Sequence, residues 1–170
     1  MPALIQKKKI KVDVNELVHS SLELTKFRIK KKKIELQLNL NDEPIYVYGE
    51  PHYLGQVLVN LIMNAYDAIT DEGKLIISTN GNATNVEITF EDDGEGISEE
   101  NLNKIFDPFF TTKQKDNGTG LGLYLSYNVI KEHCGEISAE SKLYKGTTFK
   151  VSLPAYVEEK LEKDKELISG

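Results

Sequence analysis

The sequence predicts a single α/β (α+β) domain, and three observations carry that expectation. Apolar residues recur at helical spacing in three stretches, Val14 to Thr25, Leu54 to Ala65 and Leu121 to Ile130. Between them lie segments with the period-two alternation of strands, clearest in Ile34 to Leu40 and Val86 to Phe90. A chain of 170 residues with 39% hydrophobic content is enough to build one core.

Composition excludes several function classes. No apolar run approaches the roughly 20 residues of a membrane span, and the start Met1-Pro2-Ala3-Leu4-Ile5-Gln6-Lys7 has no signal-peptide core. The chain is therefore expected to be soluble and cytoplasmic, with no direct membrane contact. The single cysteine, Cys134, excludes an internal disulfide framework and reads as a small buried hydrophobe. With 21 Lys+Arg against 27 Asp+Glu the net charge is −6, so no global positive field gathers nucleic acid. The basic runs Lys7 to Lys11 and Lys30 to Lys33 contain no interleaved aromatics for base stacking, and nucleic acid is not expected as a partner.

Taken in order, residues 1–11 are basic, lack an apolar period and read as a linker. Asp13 is placed to cap an amphipathic helix that ends by about Lys32. The strand Ile34 to Leu40 follows, with one face expected to be buried, then the turn Asn41-Asp42-Glu43-Pro44 and a short strand Ile45 to Tyr48. Gly49-Glu50-Pro51 stops that strand and starts a helix running to about Thr70, with Pro51 in its first turn. Leu75 to Ser78 and Val86 to Glu91 are strands separated by the Asn80-Gly81-Asn82 turn. A short helix is expected over Glu99 to Ile105, and a longer one from Leu121 to about His133, ended by Gly135. Ile137 to Ser141 and Thr147 to Leu153 form two strands joined at Lys145-Gly146, and Pro154 closes the sheet. Residues 155–170 form a charged, helix-prone tail.

Four stretches carry chemistry. On the helix after Pro51, Asn60, Asn64 and Asp67 share one face beside the apolar stripe. Carboxamides buried there without partners would cost about 1 to 3 kcal/mol each. A carboxamide oxygen is also a hard neutral ligand, suited to Mg²⁺ whose other positions are filled by phosphate and water. In Asp92-Asp93-Gly94-Glu95-Gly96-Ile97 a carboxylate ends a strand and two glycines allow close approach. That is either an acidic turn or an acceptor for the amino group of a flat ligand, such as adenine rather than guanine. Phe106-Asp107-Pro108-Phe109-Phe110, followed by a polar run, reads as a satellite apolar cluster or a latch on a mobile segment. Gly118-Thr119-Gly120-Leu121-Gly122-Leu123 is either a turn before a buried helix or a loop holding phosphate at a helix N-terminus. It lacks the Lys-Ser/Thr ending of a P-loop.

In this order Asn60-x-x-x-Asn64, Asp92-x-Gly94-x-Gly96, Phe106-x-Pro108-Phe109-Phe110, Gly118-x-Gly120-x-Gly122 and Gly146-Thr147-Thr148-Phe149 resemble the N, G1, F, G2 and terminal Gly-Thr boxes of sensor histidine kinases. The resemblance is to their catalytic, ATP-binding domain, in the superfamily shared with gyrase, the Hsp90 chaperones and the MutL repair proteins, and it covers about residues 12–154. It implies the Bergerat, or GHKL, ATPase fold: a two-layer sandwich whose mixed, mostly antiparallel five-stranded sheet carries helices on one face. It also implies ATP and Mg²⁺ as cofactors. Asp92, with Gly94, Gly96 and Ile97, would meet the adenine, Thr147 or Thr148 would touch the adenine side, and Asn64 would hold Mg²⁺. Asn60 would lie beside the phosphates, and Gly118, Thr119, Gly120, Leu121, Gly122 and Leu123 would wrap them. Residues 98–118 would form a lid, from which Phe110 closes on the nucleotide and Lys113 reaches a phosphate.

Two departures qualify the carry-over. Relatives that hydrolyse ATP place a glutamate where Asn60 stands, and an amide cannot act as that general base. Many histidine kinases have lysine where Asp67 stands, so phosphate binding is not transferred there; Asp67 is expected to support the asparagines. The resemblance further implies a phosphoacceptor histidine in a His-Glu-x-x-x-Pro motif on a separate dimerisation domain. His19, His52 and His133 lack that context. The expected partners are that dimerisation domain, upstream of the 1–11 linker, and a response regulator. The expected activity is γ-phosphoryl transfer to histidine, with an anti-sigma-type serine kinase or a non-catalytic nucleotide-binding module as the alternatives.

Overall fold

The computed structural model describes residues 8–111 and 120–169, without the side chains of 159–164. The element order is β1 (Ile10–Asp13), α1 (Val14–Ile29), β2 (Lys33–Asn39), β3 (Tyr46–Gly49), α2 (Pro51–Ala68), β4 (Glu72–Gly81), β5 (Asn85–Asp92), α3 (Glu99–Leu102), α4 (Gly122–Glu132), β6 (Glu136–Lys142), β7 (Gly146–Pro154) and α5 (Glu158–Ser169). The main sheet has five strands in the order β2-β4-β5-β7-β6. Only its β2–β4 pair is parallel. Register places Ile77, Phe90 and Phe149 side by side on one face, and all three are buried. The apolar stripes of α1, α2 and α4 complete that core, which gives the expected two-layer sandwich.

Local chemistry explains the helix starts. The Asp13 carboxylate accepts the Glu16 N–H at 3.2 Å and caps α1. Glu50 does the same for α2 through the N–H groups of His52 and Tyr53, and Pro51 occupies the first turn, where its missing N–H costs nothing. The stripe Leu54, Val57, Leu58, Leu61, Ile62 and Ala65 is buried in full. At about 1.5 to 3 kcal/mol per large aliphatic side chain, this face fixes the rotation of α2 and so the direction of its polar flank. The end of α2 has no basic residue of its own; Lys32 Nζ, from the α1–β2 connection, donates to the carbonyls of Tyr66 and Ile69, both at 2.7 Å.

Four local expectations need correction. Ile10 and Lys11 fall in the stretch read as linker, yet β1 pairs antiparallel with β3, with Val12 opposite Val47. A four-residue strand burying one well-packed side chain leaves too little alternation to see, and its partner lies over 30 residues away. The short strand expected over Ile45 to Tyr48 is present as β3 and pairs in this small ribbon. On β2, Leu36 and Leu38 stay 39% and 36% exposed, because β2 is the sheet edge and the helix layer only partly covers it. Finally, α4 is ended by Cys134 and not by Gly135. Cys134, expected as a small buried hydrophobe, is instead exposed, because it takes the left-handed turn position at φ 59° beyond the last helical turn. Its N–H donates to Lys131 O and that of Gly135 to Ile130 O, the two bonds of a Schellman turn.

Candidate functional site

The C-terminal end of β5, the start of β7, the polar flank of α2 and the N-terminus of α4 meet around one cavity of about 250 Å³. Of the residues singled out in the sequence, Asn60, Asn64, Asp92, Gly96, Ile97, Phe110, Gly120, Gly122, Leu123 and Thr147 line it. Gly94 and Leu121 do not. Gly94 contributes behind the wall by donating its N–H to Asp92 Oδ1 at 2.9 Å. Thr148 points to the opposite face of the sheet, beside Glu91 and Lys145, so of the two threonines only Thr147 lines this cavity. Lys113, Gly118 and Thr119 lie outside the described residues.

Asp92 forms the floor at one end. It is only 6% exposed, and burial pushes its carboxyl up to about 6, against the smaller downward pull of N–H donors from Gly94 and Thr147. Thr147 pairs with Asp92 across β5 and β7, so their side chains share a face. Gly146 makes this pairing possible: it sits at φ 95°, and a Cβ there would collide with the Asp92 carbonyl. The Ser141 hydroxyl, on the neighbouring β6, ties the wall together by bonding Gly146 O, Thr147 Oγ1 and the Ile97 N–H.

The other end of the cavity is built on carboxamides and a helix start. Asn60 Nδ2 donates to Ser126 Oγ at 3.2 Å and bridges α2 to α4. Gly122 is the point of closest approach, since a Cβ there would overlap the Asn60 carboxamide. Among the described residues no side chain caps the first turn of α4, whose N–H groups and dipole favour an anion. Asn64, one turn along α2, also faces the cavity. The site is thus polar in opposite senses: an acceptor at Asp92 and an anion-favouring end at α4.

The Phe-rich segment divides its roles. Phe106 packs against Tyr127 of α4 with ring centroids 5.8 Å apart. Phe110 lines the cavity, whereas Phe109 is 72% exposed at φ 66°. The Phe109 N–H donates to Gly120 O at 2.8 Å, which ties this segment to the chain just before α4.

Of the remaining lining residues, Glu95, Ile105, Thr111 and Phe149 fall within the Asp92–Ile97 stretch, the 98–118 segment and the terminal box without being named individually as site residues, and Ala68 lies outside every stretch singled out. Ala68 is an ordinary apolar position and carries no signal. Ser126 was findable: it lies four residues after Gly122 on a helical pattern, and so on the face that meets Asn60. Asp67 lines the cavity near Asn64, consistent with its expected place beside the asparagines. His133 belongs elsewhere. Buried at the end of α4, it accepts the Glu50 N–H at Nε2 (3.1 Å), and its Nδ1 lies 2.6 Å from Val129 O. A carbonyl only accepts, so Nδ1 carries the proton.

Comparison with known proteins gives one consistent answer. Residues 49–157 match the family model described as histidine kinase-, DNA gyrase B-, and HSP90-like ATPase. Sporulation kinase E of Bacillus subtilis is 36% identical over 142 residues, covering 83% of this chain and 19% of that protein. The sensor histidine kinase ZraS of Escherichia coli is 37% identical over 149 residues, covering 88% of this chain and 32% of that protein. The chain therefore spans about a third or less of the length of these relatives. Among solved structures, the catalytic domain of histidine kinase ThkA superposes with a TM-score of 0.77 at 33% identity, covering 86% of this chain and 97% of that one. ThkA in complex with response regulator protein TrrA matches at a TM-score of 0.75 and 31% identity, over 87% of this chain and 42% of that one.

Proposed function

Because the chain belongs to the histidine kinase-, DNA gyrase B- and HSP90-like ATPase family, as a catalytic domain of the histidine-kinase kind, we propose that it binds Mg-ATP and presents the γ-phosphoryl group to a histidine on a separate dimerisation domain. The phosphoryl group then passes to a response regulator, the kind of partner with which ThkA was solved. One observation carries the reading: a single cavity joins a buried carboxylate acceptor at one end to carboxamides and a helix N-terminus at the other. Adenine offers the matching amino donor and the triphosphate the matching anion.

The residues then take definite roles. Asp92 accepts from the adenine amino group, with Thr147 beside it and Gly96, Ile97 and Phe110 enclosing the base. Gly118 to Leu123 bring N–H groups to the phosphates, and Lys113 adds a cation. Asn64 would hold Mg²⁺ through its carboxamide oxygen. Among the described residues no group of three or more His, Cys, Asp or Glu could hold a metal alone, which suits an ion that arrives with phosphate oxygens. When bound, Mg²⁺ supplies charge neutralisation. Asn60 lies against Gly122 and Ser126, where its amide can orient phosphate oxygens but cannot deprotonate water. The domain therefore acts by positioning and keeps the γ-phosphate from hydrolysis.

Incubating the chain with radiolabelled ATP, Mg²⁺ and a matched dimerisation domain tests the reading. Acid-labile, base-stable label on that domain is the expected result. Acid-stable phosphoserine would replace histidine with an anti-sigma-type target, and failure to bind ATP by calorimetry would leave a non-catalytic module.

A further inference from the structure

We propose that Ser141, which lies outside the cavity lining, sets the hydrogen-bonding sense of the wall formed by Asp92 and Thr147 and thereby the choice of base. The inference rests on the adenine-nucleotide reading and concerns how selection is achieved. The Ser141 hydroxyl has one hydrogen and makes three contacts: Gly146 O at 2.8 Å, Thr147 Oγ1 at 2.8 Å and the Ile97 backbone N at 2.7 Å. The Gly146 carbonyl can only accept, so the Ser141 proton is committed there. The Ile97 N–H can only donate. The contact with Thr147 is then possible in one sense alone, with Thr147 as donor and Ser141 as acceptor.

With its proton turned back toward Ser141, Thr147 shows the cavity lone pairs only. Asp92 lies beside it in register and, as a carboxylate, also only accepts. Two adjacent acceptors match an exocyclic amino group, which has two N–H donors. They repel an oxygen at the same place. Ser141 is held firmly in this role: the N–H of Tyr144 bonds Glu95 O, so the β6–β7 turn and the loop after Asp92 are tied together on either side of it. Ser141 is thus a positioning residue acting through Thr147.

The test is calorimetric affinity for Mg-ATP and Mg-ITP, whose bases differ in carrying an amino group or an oxygen at the six position. In the Ser141→Ala variant the Thr147 proton is free to turn into the cavity, and the ATP:ITP affinity ratio should fall about three- to tenfold, the worth of one net hydrogen bond. In a Thr147→Val background, adding Ser141→Ala should leave the ratio where Thr147→Val put it. Equal weakening of both nucleotides by Ser141→Ala, or an undiminished second effect in the Thr147→Val background, would show a merely structural role and overturn the proposal. Should Ser141→Ala not fold, Ser141→Cys keeps the side-chain volume but weakens the bond that turns the Thr147 proton away from the cavity: a lowered ratio supports the proposal and an unchanged one refutes it. Absence of ATP binding by the unaltered chain would instead refute the underlying nucleotide reading.

Discussion

Replacing Asp92 by Asn should stabilise the ligand-free domain while removing its affinity for ATP. Burial raises the Asp92 carboxyl from 3.8 to about 6, so at neutral pH the folded protein carries a charge that the unfolded chain holds more comfortably in water. A shift of about two units corresponds to about 3 kcal/mol. Asparagine removes that penalty but keeps only one acceptor oxygen for the N–H groups of Gly94 and Thr147, which returns about 1 kcal/mol or more. The net gain is about 1 to 2 kcal/mol, or roughly 2 to 8 °C in Tm for a domain of this size. The sign with pH is definite. Because the folded pKa lies above the unfolded one, the native state binds the extra proton between them, and wild-type stability from this group rises as pH falls from 7 through about 6 toward 3.8. The advantage of the variant should therefore shrink over that window. His133 titrates in the opposite sense, since burial lowers its pKa and its contribution is lost as pH falls below about 6.5, but it is common to both proteins and cancels in the difference. Thermal denaturation of both proteins at pH 7 and pH 5, with calorimetry against Mg-ATP, checks this. A variant that is no more stable at pH 7, with a difference that ignores pH, would refute the electrostatic reasoning.

Other expected outcomes follow from single contacts. Cys134→Gly relieves a left-handed residue at the end of α4 and should gain about 1 kcal/mol, read as a higher denaturation midpoint with ATP affinity unchanged. Lys32→Met keeps the aliphatic stem but strips the ammonium from two carbonyls at the end of α2; a loss of about 1 to 2 kcal/mol in denaturant unfolding is expected. Gly122→Ala forces a methyl group into the Asn60 carboxamide, so the domain should lose about 1 to 3 kcal/mol and weaken Mg-ATP binding at least tenfold; unaltered binding would remove Gly122 from the phosphate end.

The sequence alone determined most of the fold, because its periodicities are long and its core faces are wide. The α2 stripe was legible to the residue, and so was the alternation of β5, since each buries a full row of side chains. The site boxes were legible for a related reason: glycine, asparagine and aspartate among apolar neighbours need a backbone or ligand explanation. What the sequence could not decide was everything set by contacts across the chain. β1 exists through its pairing with β3, and Cys134 ends α4 because the turn geometry tolerates one residue at positive φ. Thr147 and Thr148 are equivalent as neighbours in sequence; strand register turns only the first toward Asp92. Ser141 carries no motif of its own, and its partners lie on other elements. Periodicity records which face a residue occupies, and only tertiary packing decides which hydroxyl meets which donor.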